Sequence, residues 1–132
     1  MADTLKFELV SPERKLAEAE AEAVTVPGAE GDLTAMVNHA PFLTSLRPGY
    51  VVAQSGTSES RYFVTGGFAE ISGETVSVLA DEAVEADTVD RAWLDGKLAE
   101  AETALAEAED DRKQAALQKL NDYRTLAEHA GA

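Results

Sequence analysis

The 132-residue sequence predicts an α+β chain, with an antiparallel β-sandwich or barrel over residues 1–86 and an antiparallel two-helix hairpin over residues 87–132. Three observations predict it. All four prolines and seven of the nine glycines fall before residue 87, and the remainder is rich in Ala, Leu, Glu, Lys and Arg. These are strand-like and helix-like compositions respectively. In the first part, runs of β-branched and aromatic residues are cut by turn signals every roughly eight to twelve residues, the rhythm of an all-β unit. In the second part, apolar residues step by four and three, the seam of packed helices.

The strands follow in order. Leu5-Lys6-Phe7-Glu8-Leu9-Val10 alternates apolar and polar until Ser11-Pro12 stops it. From Leu16 to Ala23 Ala and Glu alternate; both favour helix, yet the period is two, and the run continues into Val24-Thr25-Val26. It therefore reads as one unbroken strand ending at Pro27-Gly28. Leu33–Val37, Tyr50–Ala53, Tyr62–Val64, Phe68–Ile71 and Val76–Leu79 are further short strands, several closed by glycines 56, 66, 67 and 73. Hairpin-by-hairpin pairing makes the sheet all antiparallel.

Leu94, Leu98, Ala101, Leu105 and Ala108 form one helical seam, and Ala116, Leu120, Tyr123, Ala127 and Ala130 form another. The two differ in phase. Extending the first would bury Arg112, Ala115, Lys119 and Asp122, so the chain reads as two helices joined near Glu109-Asp110-Asp111. Thr88 or Asp87 can cap the first. Most seam positions are Ala, worth about 0.8 kcal/mol per methyl against about 1.5–3 for a Leu. Such a hairpin is thinly held and able to open.

Charge narrows the function. Residues 1–86 carry five basic and 14 acidic side chains, residues 87–132 six and 11, for a net charge of −14. A phosphate-tracking surface needs clustered cations, so nucleic acid is not an expected partner. An anionic lipid surface would repel the chain, and no direct lipid insertion is expected. There is no cysteine, which removes thiolate chemistry, disulfides and Cys-based metal sites. No apolar run reaches the ~18–20 residues of a spanning helix. Met1-Ala2-Asp3-Thr4 lacks the basic and apolar blocks of a signal peptide, so a cytoplasmic protein is expected.

Catalytic motifs are scarce. Only His39 and His129 could act as an imidazole base, the first in the loop Asn38-His39-Ala40-Pro41 and the second close to the C-terminus. Gly28-Ala29-Glu30-Gly31 reads as a tight turn rather than a phosphate cradle. No catalytic residues and no metal site are expected, and the residues point to binding rather than chemistry.

The run Val24-Thr25-Val26-Pro27-Gly28-Ala29-Glu30-Gly31-Asp32-Leu33, followed by Asn38-His39-Ala40-Pro41-Phe42-Leu43-Thr44-Ser45-Leu46-Arg47-Pro48-Gly49, closely resembles the epsilon subunit family of bacterial F-type ATP synthases. Tyr62 to Glu70 resembles the family's F-V-x-G-G-x-x-E, and Val76 to Ala83 its V-x-V-L-A-D-x-A. The resemblance implies about ten strands in the sandwich. It implies a non-catalytic rotor subunit of the central stalk, linking the gamma subunit to the c-subunit ring and coupling proton flow to ATP synthesis. Its place would be peripheral, on the cytoplasmic face of the bacterial inner membrane. In many members the helices also restrain ATP hydrolysis by reaching toward the catalytic subunits. The family's ring-facing positions fall on Asp32 and His39, with Glu30 beside them. Thr34 and Asn38 stand where the family usually has Gly. Some members bind ATP through [I/L]-D-x-x-R-A. In Asp87-Thr88-Val89-Asp90-Arg91-Ala92, Arg91 and Ala92 match and Thr88 departs, and Arg124 is among the few basic residues of the second helix. No other cofactor is implied. The rival readings are an acidic scaffold with docking helices, and a small hydrolase using His39 with Asp32 or Glu30.

Overall fold

The computed structural model describes residues 4–130, the side chains of residues 128–130 excepted. His129 thus lies outside the described side chains. Ten strands come first: β1 (Leu5–Val10), β2 (Lys15–Ala21), β3 (Ala23–Gly28), β4 (Gly31–Met36), β5 (Phe42–Leu46), β6 (Gly49–Ser55), β7 (Ser58–Val64), β8 (Gly67–Ile71), β9 (Thr75–Ala80) and β10 (Ala83–Glu85). A 3-10 turn (Ala86–Thr88) leads to α1 (Arg91–Glu107) and α2 (Lys113–Ala130). The chain forms two compact units, residues 1–86 and 87–132.

The strand order is β10-β7-β6-β3-β5-β8-β9-β1-β2, with β4 paired to β3. β3 meets β6 along Ala23–Thr25 but touches β5 only at Gly28↔Leu46, which is where the sheet passes from one layer to the other. Alternation does the rest. Leu5, Phe7 and Leu9 face inward from β1, Val24 and Val26 from β3, Ala69 and Ile71 from β8, and Val76, Val78 and Ala80 from β9. Each large side chain in this set contributes about 1.5–3 kcal/mol on burial.

Four sequence expectations need correction. The strand expected from Leu16 through Val26 is broken at Glu22, whose amide donates to the Gln54 carbonyl at 2.7 Å while its carboxylate accepts from the Gly56 amide. The chain there leaves β1 for a new partner, β6. The ladders are antiparallel except one: β1 and β9 run parallel, because residues 11–74 supply the long crossover that a parallel pair needs. β5 and β10 are strands that local pattern did not announce. The cap of α1 is Asp90, whose carboxylate accepts from the Trp93 amide at 2.8 Å, rather than Asp87 or Thr88, which lie in the 3-10 turn or at its end.

In the helical unit Leu94, Ala101, Leu120, Tyr123 and Ala127 are buried, and Leu98, Leu105, Ala108 and Ala116 are half-buried. Arg112 and Lys119 are exposed, as two separate seams require. Asp122 is buried nonetheless, and its carboxylate accepts a hydrogen bond from the Gln118 side-chain Nε2 at 3.2 Å.

Candidate functional site

The turn joining β3 to β4 is the first candidate. Gly28 pairs with Gly31 across two residues, Ala29 and Glu30, and Gly31 has φ +131. A Cβ on Gly28 would stand 2.9 Å from the Gly31 carbonyl, so this close hairpin requires glycine. Thr44 pins the turn from β5: its hydroxyl accepts from the Ala29 amide at 3.4 Å and donates to the Ser45 carbonyl at 2.9 Å. Glu30 and Asp32 are exposed at its rim, over a cavity of about 180 Å³ lined also by Leu33, Phe42 and Thr44.

The row Gly28–Leu46–Gly67–Ala80 crosses four strands at this end of the sandwich, so Asp81 and Glu82 lie at the same end as Glu30 and Asp32. Arg47 is there as well, its amide bonded to the Pro27 carbonyl. Sequence reading singled out neither Asp81 nor Glu82, because only the β8–β9 ladder brings them to this end.

His39 is elsewhere. Its amide donates to the Met36 carbonyl at 3.1 Å, and the preceding Asn38 amide donates to Gly73 in the β8–β9 turn at 2.8 Å. β4 lies between it and Asp32, and at about 3.3 Å of rise per residue the strand separates Asp32 from Met36 by about 13 Å. The structure therefore does not gather Glu30, Asp32 and His39 into one cluster. The His39 ring donates from Nδ1 to the Ala40 carbonyl at 2.7 Å. The hydrolase reading needs a carboxylate of Glu30 or Asp32 beside that ring, and this geometry denies it one. Among the described residues no group of three or more His, Asp or Glu is arranged to hold a metal ion.

The second candidate is an apolar row that sequence reading placed in strands without assigning it a face. Phe68 and Leu79 are direct neighbours across β8 and β9, and their strands turn Ala69, Ile71, Val78 and Ala80 inward. Phe68 is 55% exposed and Leu79 59%; Leu43, 64% exposed on the adjoining β5, shares their face but stands opposite Glu70. Val10, paired with Leu79 across the parallel ladder, is half-buried at the end of the row. Exposed single hydrophobics are ordinary; two large ones side by side across a ladder, with a third on the same face, mark a surface that another molecule covers. The signal was present in the sequence as large apolar residues in the polar phase of the alternation.

The nucleotide candidates lie in the helical unit. Arg91 bonds within the hairpin, to the Asp95 carboxylate at 3.1 Å and to the Ala127 carbonyl at 3.2 Å. Ala92 and Arg124 are exposed on α1 and α2.

Comparison with known proteins decides the family. The family described as ATP synthase, Delta/Epsilon chain, beta-sandwich domain matches residues 4–86. The ATP synthase epsilon chain of Ruegeria sp. (strain TM1040) is 47% identical, over 98% of this chain and 98% of its own. The chain belongs to the ATP synthase epsilon family. The epsilon chains of Cereibacter sphaeroides (strain ATCC 17025) and Mesorhizobium japonicum are 47% and 42% identical, each covering at least 97% of both chains. Among solved structures, a chain of the Euglena gracilis mitochondrial ATP synthase (OSCP/F1/c-ring) aligns with a TM-score of 0.73 over 96% of this chain and 81% of its own, at 20% identity. A chain of the Tetrahymena thermophila mitochondrial ATP synthase central stalk and c-ring gives 0.62 over 93% and 96%, at 14%. At those identities the likeness speaks for the fold.

Two departures from the epsilon family's usual glycines are explained by geometry. Asn38 has φ +67, a left-handed conformation that Asn tolerates better than any β-branched residue. Thr34 faces Thr25 across β3–β4, their hydroxyls 2.8 Å apart, so a side chain there joins a cross-strand pair.

Proposed function

We propose that this epsilon-family chain is a non-catalytic rotor subunit of the central stalk of a proton-transporting F-type ATP synthase. It works peripherally, on the cytoplasmic face of the bacterial inner membrane. The observation that carries the reading is the exposed pair Phe68–Leu79, with Leu43 on the same face, in a chain of this family. The pair offers the gamma subunit an apolar face. Core-like burial of two such side chains contributes several kcal/mol, at about 1.5–3 kcal/mol each. The acidic end bearing Glu30 and Asp32 faces the polar loops of the c ring, where opposite charge orients the contact more than it tightens it. Attachment through protein contacts suits a chain of net charge −14 that an anionic bilayer repels. No described helix is long and apolar enough to cross a membrane. The helical unit opens from its hairpin to reach catalytic subunits and restrain hydrolysis.

Reconstitution tests this. A synthase assembled without the chain is compared with one given the full chain, residues 1–86, or the Phe68→Ser/Leu79→Ser variant, and ATP hydrolysis and proton pumping are both read. The full chain and residues 1–86 restore pumping per ATP, and the double variant fails to co-purify. Pumping that is unchanged when the chain is omitted overturns the reading.

A further inference from the structure

We infer that Arg91 is a positioning residue that latches the free end of α2 onto α1. The two helices join through residues 108–112, so Arg91, the first residue of α1, and Ala127, in the last turn of α2, lie at the open end of the hairpin. The Arg91 Nη1 donates to the Ala127 carbonyl at 3.2 Å, and its Nε donates to Asp95, one turn along the same helix, at 3.1 Å. Ala127 lies in the last described turn of α2, whose carbonyls form the negative end of that helix's dipole. The guanidinium thus caps a neighbouring helix at its negative pole, while Asp95 holds the fork in place.

The placement is unfavourable for α1 alone. A cation at a helix N-terminus opposes the macrodipole, and Ala is the better helix former. Only part of what α1 loses there is returned within it, by the i,i+4 pair with Asp95; the rest comes across the hairpin, at the end where separation must begin. The seam beside it is thin, since among the described side chains of α2 at that level Ala127 is buried and Leu126 half-buried, and the larger Leu120 and Tyr123 lie a turn or more back. The latch therefore sets how often the end of α2 comes free. This inference does not depend on the stalk reading, because it concerns the isolated chain.

That opposition of signs gives the test. Amide hydrogen exchange is followed on the full chain as wild type, Arg91→Ala, Arg91→Lys and Asp95→Ala. On helix-intrinsic terms Arg91→Ala should slow exchange in α1. The latch predicts instead that amides of residues 123–127 exchange about threefold to tenfold faster, the population change from one lost, partly exposed hydrogen bond of ordinary net strength. Exchange in the sandwich stays as it was. Arg91→Lys keeps a cation but not the fork, and falls between wild type and Arg91→Ala. Asp95→Ala gives a smaller acceleration at the same amides. Unchanged exchange at 123–127 in Arg91→Ala overturns the inference. So does acceleration shared equally by the sandwich, or Arg91→Lys behaving no better than Arg91→Ala.

Discussion

Gly67 sits where β5, β8 and β9 meet, with φ +133, and a Cβ on it would come within 2.1 Å of the Leu79 carbonyl. Gly67→Ala must strain both the backbone and the ladder. A loss of about 3 kcal/mol or more is expected from overpacking and left-handed strain together, read by urea denaturation. Phe68 is the contrasting neighbour. Phe68→Ser and Leu79→Ser remove exposed surface and should leave the melting temperature within a few degrees of wild type while weakening assembly. Lys15 and Glu18 show charge at this scale. The Lys15 hydrogen bond and charge hold the Glu18 carboxyl below its usual range, and Glu18 raises Lys15 in turn. For Glu18 the stabilising contribution is present above the unfolded carboxylate pKa and is lost as pH falls through its lowered folded value. For Lys15 it is present at neutral pH and lost as pH rises through the raised one. Both groups are on the surface, so Glu18→Gln should flatten the acid limb of the stability profile only slightly, and added salt should erase the difference.

At the scale of elements, alternation and seam spacing made most of the structure legible. β1, β6, β8 and β9 lie where period-two patterns put them, and the helical turn falls at residues 108–112 beside the acidic run that announced it. β5 was not legible because Phe42-Leu43-Thr44-Ser45-Leu46 has apolar residues in both phases, and only its pairing with β8 makes it a strand. The break at Glu22 was hidden for a related reason: it marks a change of partner, which local composition does not encode. The cap of α1 gives a test. Asp90→Ala removes the acceptor for the Trp93 amide and should lower helix stability by about 1 kcal/mol, read as earlier loss of the 222 nm signal. Leu120→Ala, in the thin seam, should cost about 2–4 kcal/mol in the helical unit and leave sandwich amides protected in hydrogen exchange.

At the scale of the whole molecule, every residue of the main hydrophobic cluster lies before residue 87. Residues 1–86 alone should therefore unfold in one cooperative transition with the strand signature intact, checked by circular dichroism and calorimetry. In the assembled synthase, Glu30→Gln with Asp32→Asn should shift the salt dependence of assembly while leaving bound enzyme coupled, because exposed charges steer more than they hold.

The candidate site divides along the same line. Glu30 and Asp32 stood out in the sequence only through the family resemblance, and Phe68 and Leu79 could be found as large apolar residues out of phase. That Asp81 and Glu82 share an end with Glu30, that His39 stands at the other end of β4, and that Arg91 reaches α2 were decided only by the tertiary structure. Periodicity belongs to neighbours along the chain, so the sequence determined the two units, their strands and helices, and which side chains could turn inward. Register, layer crossing and helix pairing join residues far apart in the chain, and their energies appear only once the backbone is folded.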